Sequence, residues 1–136
     1  MAKVPTSVAT GPNTRSLAII AQDPAIRARG AMLMANVTVP AEELAPGPRG
    51  YRVNVIDFDA STGTLYQPAA YPKAKGGVYP DPFAPRAPQK TARQRRGAAD
   101  RLIADPRFHA QNVYAIAMRT LARFEFALGR RVPWGC

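Results

Sequence analysis

Most of the 14 prolines in this chain fall between Pro40 and Pro88. Proline holds φ at about −65° and has no backbone N–H, so it is excluded from helix interiors and central strands. The middle of the chain is therefore closed to long helices. Regular structure must come from the flanks and from the proline-free window 51–67. With 136 residues, of which 46% are apolar, the chain can bury one core but not two.

Residues 1–16 are small and polar and read as a flexible leader. Region 17–67 reads as β-rich. Ser16–Ile20 suits a short strand or the first turn of a helix, and Asp23-Pro24 is a helix-start signal that Gly30 would cut short. Met32–Val39 is rich in β-compatible residues. Beyond the turn cluster Pro46–Gly50, the run Tyr51–Asp59 alternates apolar and polar side chains with the period of a strand. A third strand begins at Leu65-Tyr66. These runs predict a small antiparallel meander. Residues 68–89 form a Pro-rich linker or a wrapping arm.

Residues 90–136 read as helical. A shorter helix from about Gln89 carries Ala98, Ala99, Leu102 and Ile103 at helical spacing. A long one follows over Pro106–Leu128, with Asp105 as N-cap, Pro106 at the first position and Gly129 as the stop. The expected fold class is α+β, all within one incomplete domain. At about 100° per residue, Ala110, Tyr114, Ala117, Leu121, Phe124 and Leu128 form one stripe, with Val113 and Met118 at its margins. Phe108, Ile116 and Phe126 fall on the far side among Asn112, Arg119 and Arg123. A helix apolar on two sides belongs inside a larger body. Together with Trp134 near the terminus, these residues predict a docking face and a chain completed by further sequence or by a partner.

The chemistry open to such a chain is narrow. One histidine and one cysteine leave no HExxH or CxxC and no disulfide framework. His109 is the only imidazole and suits a surface or capping role. Ser7, Ser16 and Ser61 lie in no GxSxG elbow, and Cys136 has no group to order it. Asp57 and Asp59 share a strand side, which allows acid–base work or, more simply, turn formation. Gly76-Gly77 precedes no Lys-Ser/Thr, so nucleotide binding has no support. No catalytic, cofactor or metal residue is assigned. The absence of a membrane-length apolar run or a signal peptide makes the cytoplasm the expected location.

Charge is uneven. The net charge is +10, and residues 84–136 hold most of the surplus. Arg86, Lys90, Arg93, Arg95, Arg96 and Arg101 could neutralise phosphates of a nucleic acid or another polyanion, or could form a solvated basic helix start.

A resemblance bears on both readings. Asp105–Tyr114, running into Met118–Arg130, resembles the helix that precedes the catalytic core of thermolysin-like zinc peptidases, the gluzincins. It is closer still to a group of uncharacterised bacterial gluzincin-like proteins. Pro40–Leu44, Gly47–Val53 and Ile56–Asp59 resemble their N-terminal β-region, and the likeness covers most of residues 16–135. In that family an HExxH helix supplies two zinc ligands and the general base, and a later Glu supplies the third ligand. All would lie beyond Cys136, so none transfers, and zinc is expected only in a full-length relative. The resemblance implies a non-catalytic N-terminal portion, such as a truncated product, that supports an absent catalytic half. The alternative is a small basic binder of nucleic acid or another polyanion.

Overall fold

The computed structural model describes residues 13–23, 25–28, 31–84 and 91–133. The elements run β1 (Thr14–Ile20), β2 (Arg27–Ala28), β3 (Ala31–Met32), β4 (Met34–Pro40), β5 (Phe58–Asp59), β6 (Thr64–Leu65), α1 (Ala92–Ile103) and α2 (Pro106–Leu128). The fold is α+β, as the sequence predicts. Its three small antiparallel pairs are β1–β4, β2–β3 and β5–β6.

The β1–β4 ribbon is the centre of the molecule. Its register runs from Thr14 opposite Pro40 to Ile20 opposite Met34. Side chains alternate across a strand, so Arg15, Leu17 and Ile19 share one face with their partners Val39, Val37 and Ala35. That face meets α2, and Leu17, Ile19, Val39, Tyr114, Ala115 and Met118 form the buried core. The strand begins earlier than the sequence suggests. Thr14, Arg15 and Ser16 belong to it rather than to a leader, and Arg15 is only 1% exposed.

A two-stranded ribbon has two open edges, and here side chains cover both. On the β1 edge the Ala18 N–H donates to Asp81 Oδ2 at 2.6 Å and the Ile20 N–H donates to Asn112 Oδ1 at 2.7 Å. Gln111 Nε2 donates to the Ala18 carbonyl at 3.0 Å. On the β4 edge Arg119 Nη1 donates to the Thr38 carbonyl at 3.2 Å. Three of these four capping residues lie on α2.

Capping sets the rotation of α2 and corrects the predicted stripe. The buried residues are Phe108, Ala110, Gln111, Tyr114, Ala115 and Met118. Their centre is about a quarter-turn of helix away from the stripe through Ala117, Phe124 and Leu128. Bringing Gln111 and Asn112 to the β1 edge turns Phe124 and Leu128 outward, where both are exposed. Phe108 is carried inward to 0% exposure and packs on Phe83 with ring centroids 5.4 Å apart. Phe108 is thus a core residue, not part of a docking face.

The helix boundaries follow local chemistry. Asp105 caps α2 through the Arg107 N–H at 3.0 Å, and Gly129 ends it at φ 64, a left-handed conformation that glycine adopts without a Cβ penalty. Thr91 and Gln94 form a reciprocal capping box that starts α1 at Ala92, three residues beyond Gln89. α1 packs on β3 and buries Ala99. After Gly129 the chain returns to Arg52, whose Nη1 pairs with Glu125 at 2.6 Å and whose Nη2 bonds the Val132 carbonyl.

Two further sequence expectations fail. Tyr51–Ile56 makes no continuous ladder; of the predicted strand Phe58–Asp59 pairs with Thr64-Leu65, and Asn54 makes an isolated bridge to Arg49. Its backbone groups are satisfied locally: the Gly50 N–H donates to the Val53 carbonyl, the Val55 N–H to the Pro48 carbonyl and the Tyr51 N–H to Glu42 Oε2. Val53 and Val55 still pack against the core, but Tyr51, which the alternation puts on the same side, is 94% exposed, so the alternation reports sidedness only from Val53 onward. The helix expected after Asp23 is replaced by β2, which pairs with β3. Pro24, Arg29 and Gly30 lie outside the described residues. The Pro-rich stretch, as far as Ala84, is a wrapping arm. Tyr71, Asp81 and Phe83 hold it against β1 and α2.

Candidate functional site

Two surfaces and one buried cluster carry the features from which function can be read. The first surface is the outer side of α2. At about 100° per residue, Val113, Ile116 and Phe124 fall opposite the buried face. All three are exposed, Ile116 by 51%. Toward its C-terminus the helix outruns the ribbon, and Phe126 stands 87% exposed, with Leu128 exposed on the other side. Of the predicted docking residues, Ile116 and Phe126 are therefore accessible. Trp134 lies outside the described residues.

Exposed apolar side chains also rim an open cleft of about 330 Å³, where Ile56, Asp57, Leu65 and Tyr66 meet Pro46 and Arg49. The turns that build it bind their own polar groups. Arg49 Nε donates to the Pro46 carbonyl at 3.0 Å.

The second surface is basic. Arg93, Arg95, Arg96 and Arg101 are all exposed on α1. Helical geometry splays them: Arg93 and Arg96 share a side, Arg101 is a turn further on, and Arg95 lies roughly opposite Arg93. Arg86 and Lys90 lie outside the described residues.

The predicted polar candidates have structural roles. His109 Nε2 bonds the Ile103 carbonyl and so fastens the α1–α2 corner. The carbonyl can only accept, which puts the proton on Nε2. Asp59 accepts from the Ser61 N–H, Ser61 Oγ and Thr62 Oγ1, and these bonds hold its carboxyl below the usual range. It is a turn residue, while the Asp57 carbonyl accepts from the Tyr66 N–H. Among the described residues no group of three His, Cys, Asp or Glu could hold a metal ion.

The buried cluster was not foreseen from the sequence. Arg15, on the inner face of β1, has its Cζ 5.5 Å from the Tyr71 ring centre and 4.8 Å from that of Tyr79. Burial pulls its pKa below the ordinary arginine value, opposed by the charges and dipoles of Tyr114, Tyr71, Tyr79 and Asp81. Asp81 accepts from three donors: the Ala18 N–H, the Phe83 N–H at 2.8 Å and Gln111 Nε2 at 3.0 Å. Nearby, the Tyr114 hydroxyl donates to Glu42 Oε1, and Glu42 Oε2 takes the Tyr51 N–H at 2.7 Å. Burial first, and then Glu42, raises the Tyr114 pKa. Tyrosines alternating with prolines in the arm were the one available signal. Nothing local tied them to an arginine more than fifty residues earlier.

Comparison with known protein families, with curated proteins and with solved structures found no match.

Proposed function

We propose that this chain is a non-catalytic scaffold, the N-terminal supporting portion of a gluzincin-like zinc metallopeptidase. In this reading it presents the outer face of α2 to a catalytic half that it does not itself contain. The observation that carries the reading is that face. Val113, Ile116 and Phe124 are exposed on a helix whose opposite side is already buried, and Phe126 is exposed near its C-terminal end. A helix packed on one side and apolar on the other is a layer between two bodies. The likeness of Asp105–Arg130 to the helix behind the gluzincin cleft supplies the identity of the second body.

The zinc ligands and the general base belong to that other half. This chain's part is to fix the helix on which the cleft rests, through the edge-capping bonds of Gln111, Asn112 and Arg119. A cytoplasmic location is part of the proposal. No helix among the described residues is long and apolar enough to cross a membrane.

The test supplies, in trans, the HExxH-bearing half of a thermolysin-like peptidase from the resembled bacterial group. Co-purification of the two halves and zinc-dependent peptide cleavage by the pair are expected. Ile116→Asp with Phe126→Asp should abolish co-purification while the chain stays folded by circular dichroism. Zinc-dependent cleavage by the chain alone would overturn the reading, as would co-purification indifferent to both substitutions.

The second reading, polyanion binding through α1, rests on its four exposed arginines. It predicts affinity for RNA or DNA that falls steeply with salt. Their spread around the helix favours the scaffold reading. A salt titration decides between the two.

A further inference from the structure

Arg15 is the least expected residue in the core. Arginine is not deprotonated in proteins, and burying an uncompensated charge carries a large desolvation cost. Yet its Nε, Nη1 and Nη2 are all buried and have no hydrogen-bond partner among the described residues. The Tyr71 hydroxyl beside it is in the same condition. The carboxylates within the cluster are already engaged. Asp81 serves the β1 edge and Gln111, and Glu42 serves Tyr114 and Tyr51. Arg15 Cζ stands over the rings of Tyr71 and Tyr79, which offer it π-faces but no oxygen or nitrogen hydrogen-bonded to its N–H groups. What stays unmatched is the planar N–H edge. That fork fits two oxygens of a carboxylate or phosphate.

We propose that Arg15 and Tyr71 form a binding site for a small oxyanion, a carboxylate or phosphate group held edge-on to the guanidinium beneath the 69–83 arm. The arm provides the way in. It carries both tyrosines, and between them Pro72–Val78 is exposed, including Lys73 and Lys75. Its turn is closed by the paired Lys75 and Val78 backbones, and its far end is anchored by Asp81 and Phe83. Two exposed lysines on the outer side of a closed cationic site would draw an anion toward it. The Tyr71 hydroxyl then adds a fourth donor. This site is independent of the docking face on α2, and either can fail without the other.

The experiment uses the full chain and two probes, sodium acetate and sodium phosphate, at an ionic strength fixed with sodium chloride. Thermal midpoint and the ¹⁵N–¹H resonance of the Arg15 Nε–H are followed. The expected result is a saturable rise in midpoint with a matching shift of that resonance. Stronger response to acetate assigns the site to carboxylate-bearing ligands, and stronger response to phosphate assigns it to phosphoryl groups. Arg15→Met should lose the saturable response. Should that variant not fold, Tyr71→Phe carries the test, since it keeps the ring and removes one donor; it should weaken the apparent affinity roughly tenfold. A midpoint that rises linearly and equally in the wild type and R15M overturns the proposal. So does an Nε–H resonance that fails to move, or a Y71F affinity equal to that of the wild type.

Discussion

At the residue scale, single polar atoms decide more than their number suggests. A Cβ on Gly50 would fall 2.0 Å from Glu42 Oε1. The carboxylate is flexible, but it is held by the Tyr114 hydroxyl and the Tyr51 N–H. Gly50→Ala must therefore break those bonds. It is expected to cost about 1–3 kcal/mol in urea unfolding, the cost of leaving a buried polar group unpaired. Asp105 gives a pH-dependent counterpart. The Arg107 side chain, and then its N–H, hold the Asp105 carboxyl below its ordinary 3.8. A carboxyl depressed in the folded state contributes stability above its unfolded value and loses it as pH falls through the folded one. Asp105→Ala should cost about 0.5–2 kcal/mol at neutral pH. It should also flatten the loss of stability below about pH 4, read by urea midpoints across pH. The cap was legible in the sequence, because Asp-Pro acts on the residues next to it. Arg15 was not legible. Nothing in Asn13-Thr14-Arg15-Ser16 distinguishes a buried guanidinium from a solvated one, and the tyrosines around it arrive from the arm.

At the scale of elements, α2 separates two kinds of legibility. Its ends follow from Asp105, Pro106 and Gly129, and they agree with the sequence to the residue. Its rotation does not follow, because Gln111, Asn112 and Arg119 face the core side only to cap strands some eighty or ninety residues earlier. A scale of hydrophobicity ranks those three as outward, and so misplaces the stripe. Substitutions distinguish the two faces. Met118→Ala, which opens space in the core, should cost about 2–5 kcal/mol. Ile116→Ser on the exposed face should change stability by no more than about 0.5 kcal/mol. Chemical denaturation of both variants checks this. Hydrogen exchange should grade along the helix in the same way, slow from Phe108 to Met118 and fast beyond Arg123, where the ribbon no longer lies beneath it. The alternation in Tyr51–Asp59 carries a related lesson. Val53 and Val55 do turn inward, but sidedness alone cannot supply a pairing partner.

For the whole molecule, the α+β class was readable because prolines barred helix from the middle and two capped apolar segments followed. The order of pairing was not readable. β4 pairs with β1, past the β2–β3 hairpin between them, and the expected partner after it folds on itself instead. The candidate docking face was legible in half. Two sides of α2 are apolar, as the pattern required, but Phe108 is drawn inside by Phe83 of the arm. Since the described residues offer no group of three metal ligands, adding zinc or a chelator should leave the thermal midpoint of the chain unchanged. A zinc-dependent shift would place ligands where none is described.

The side chains along the ribbon's two margins also restrain how copies of this protein can meet. With Asp81, Gln111 and Asn112 on one margin and Arg119 on the other, a foreign strand finds Ala18, the Ile20 N–H and the Thr38 carbonyl already engaged and so has less backbone to extend. Peel that helix away and the same fourteen residues become a short, largely uncharged template for cross-β growth, which makes the seating of α2 the safeguard against fibrils.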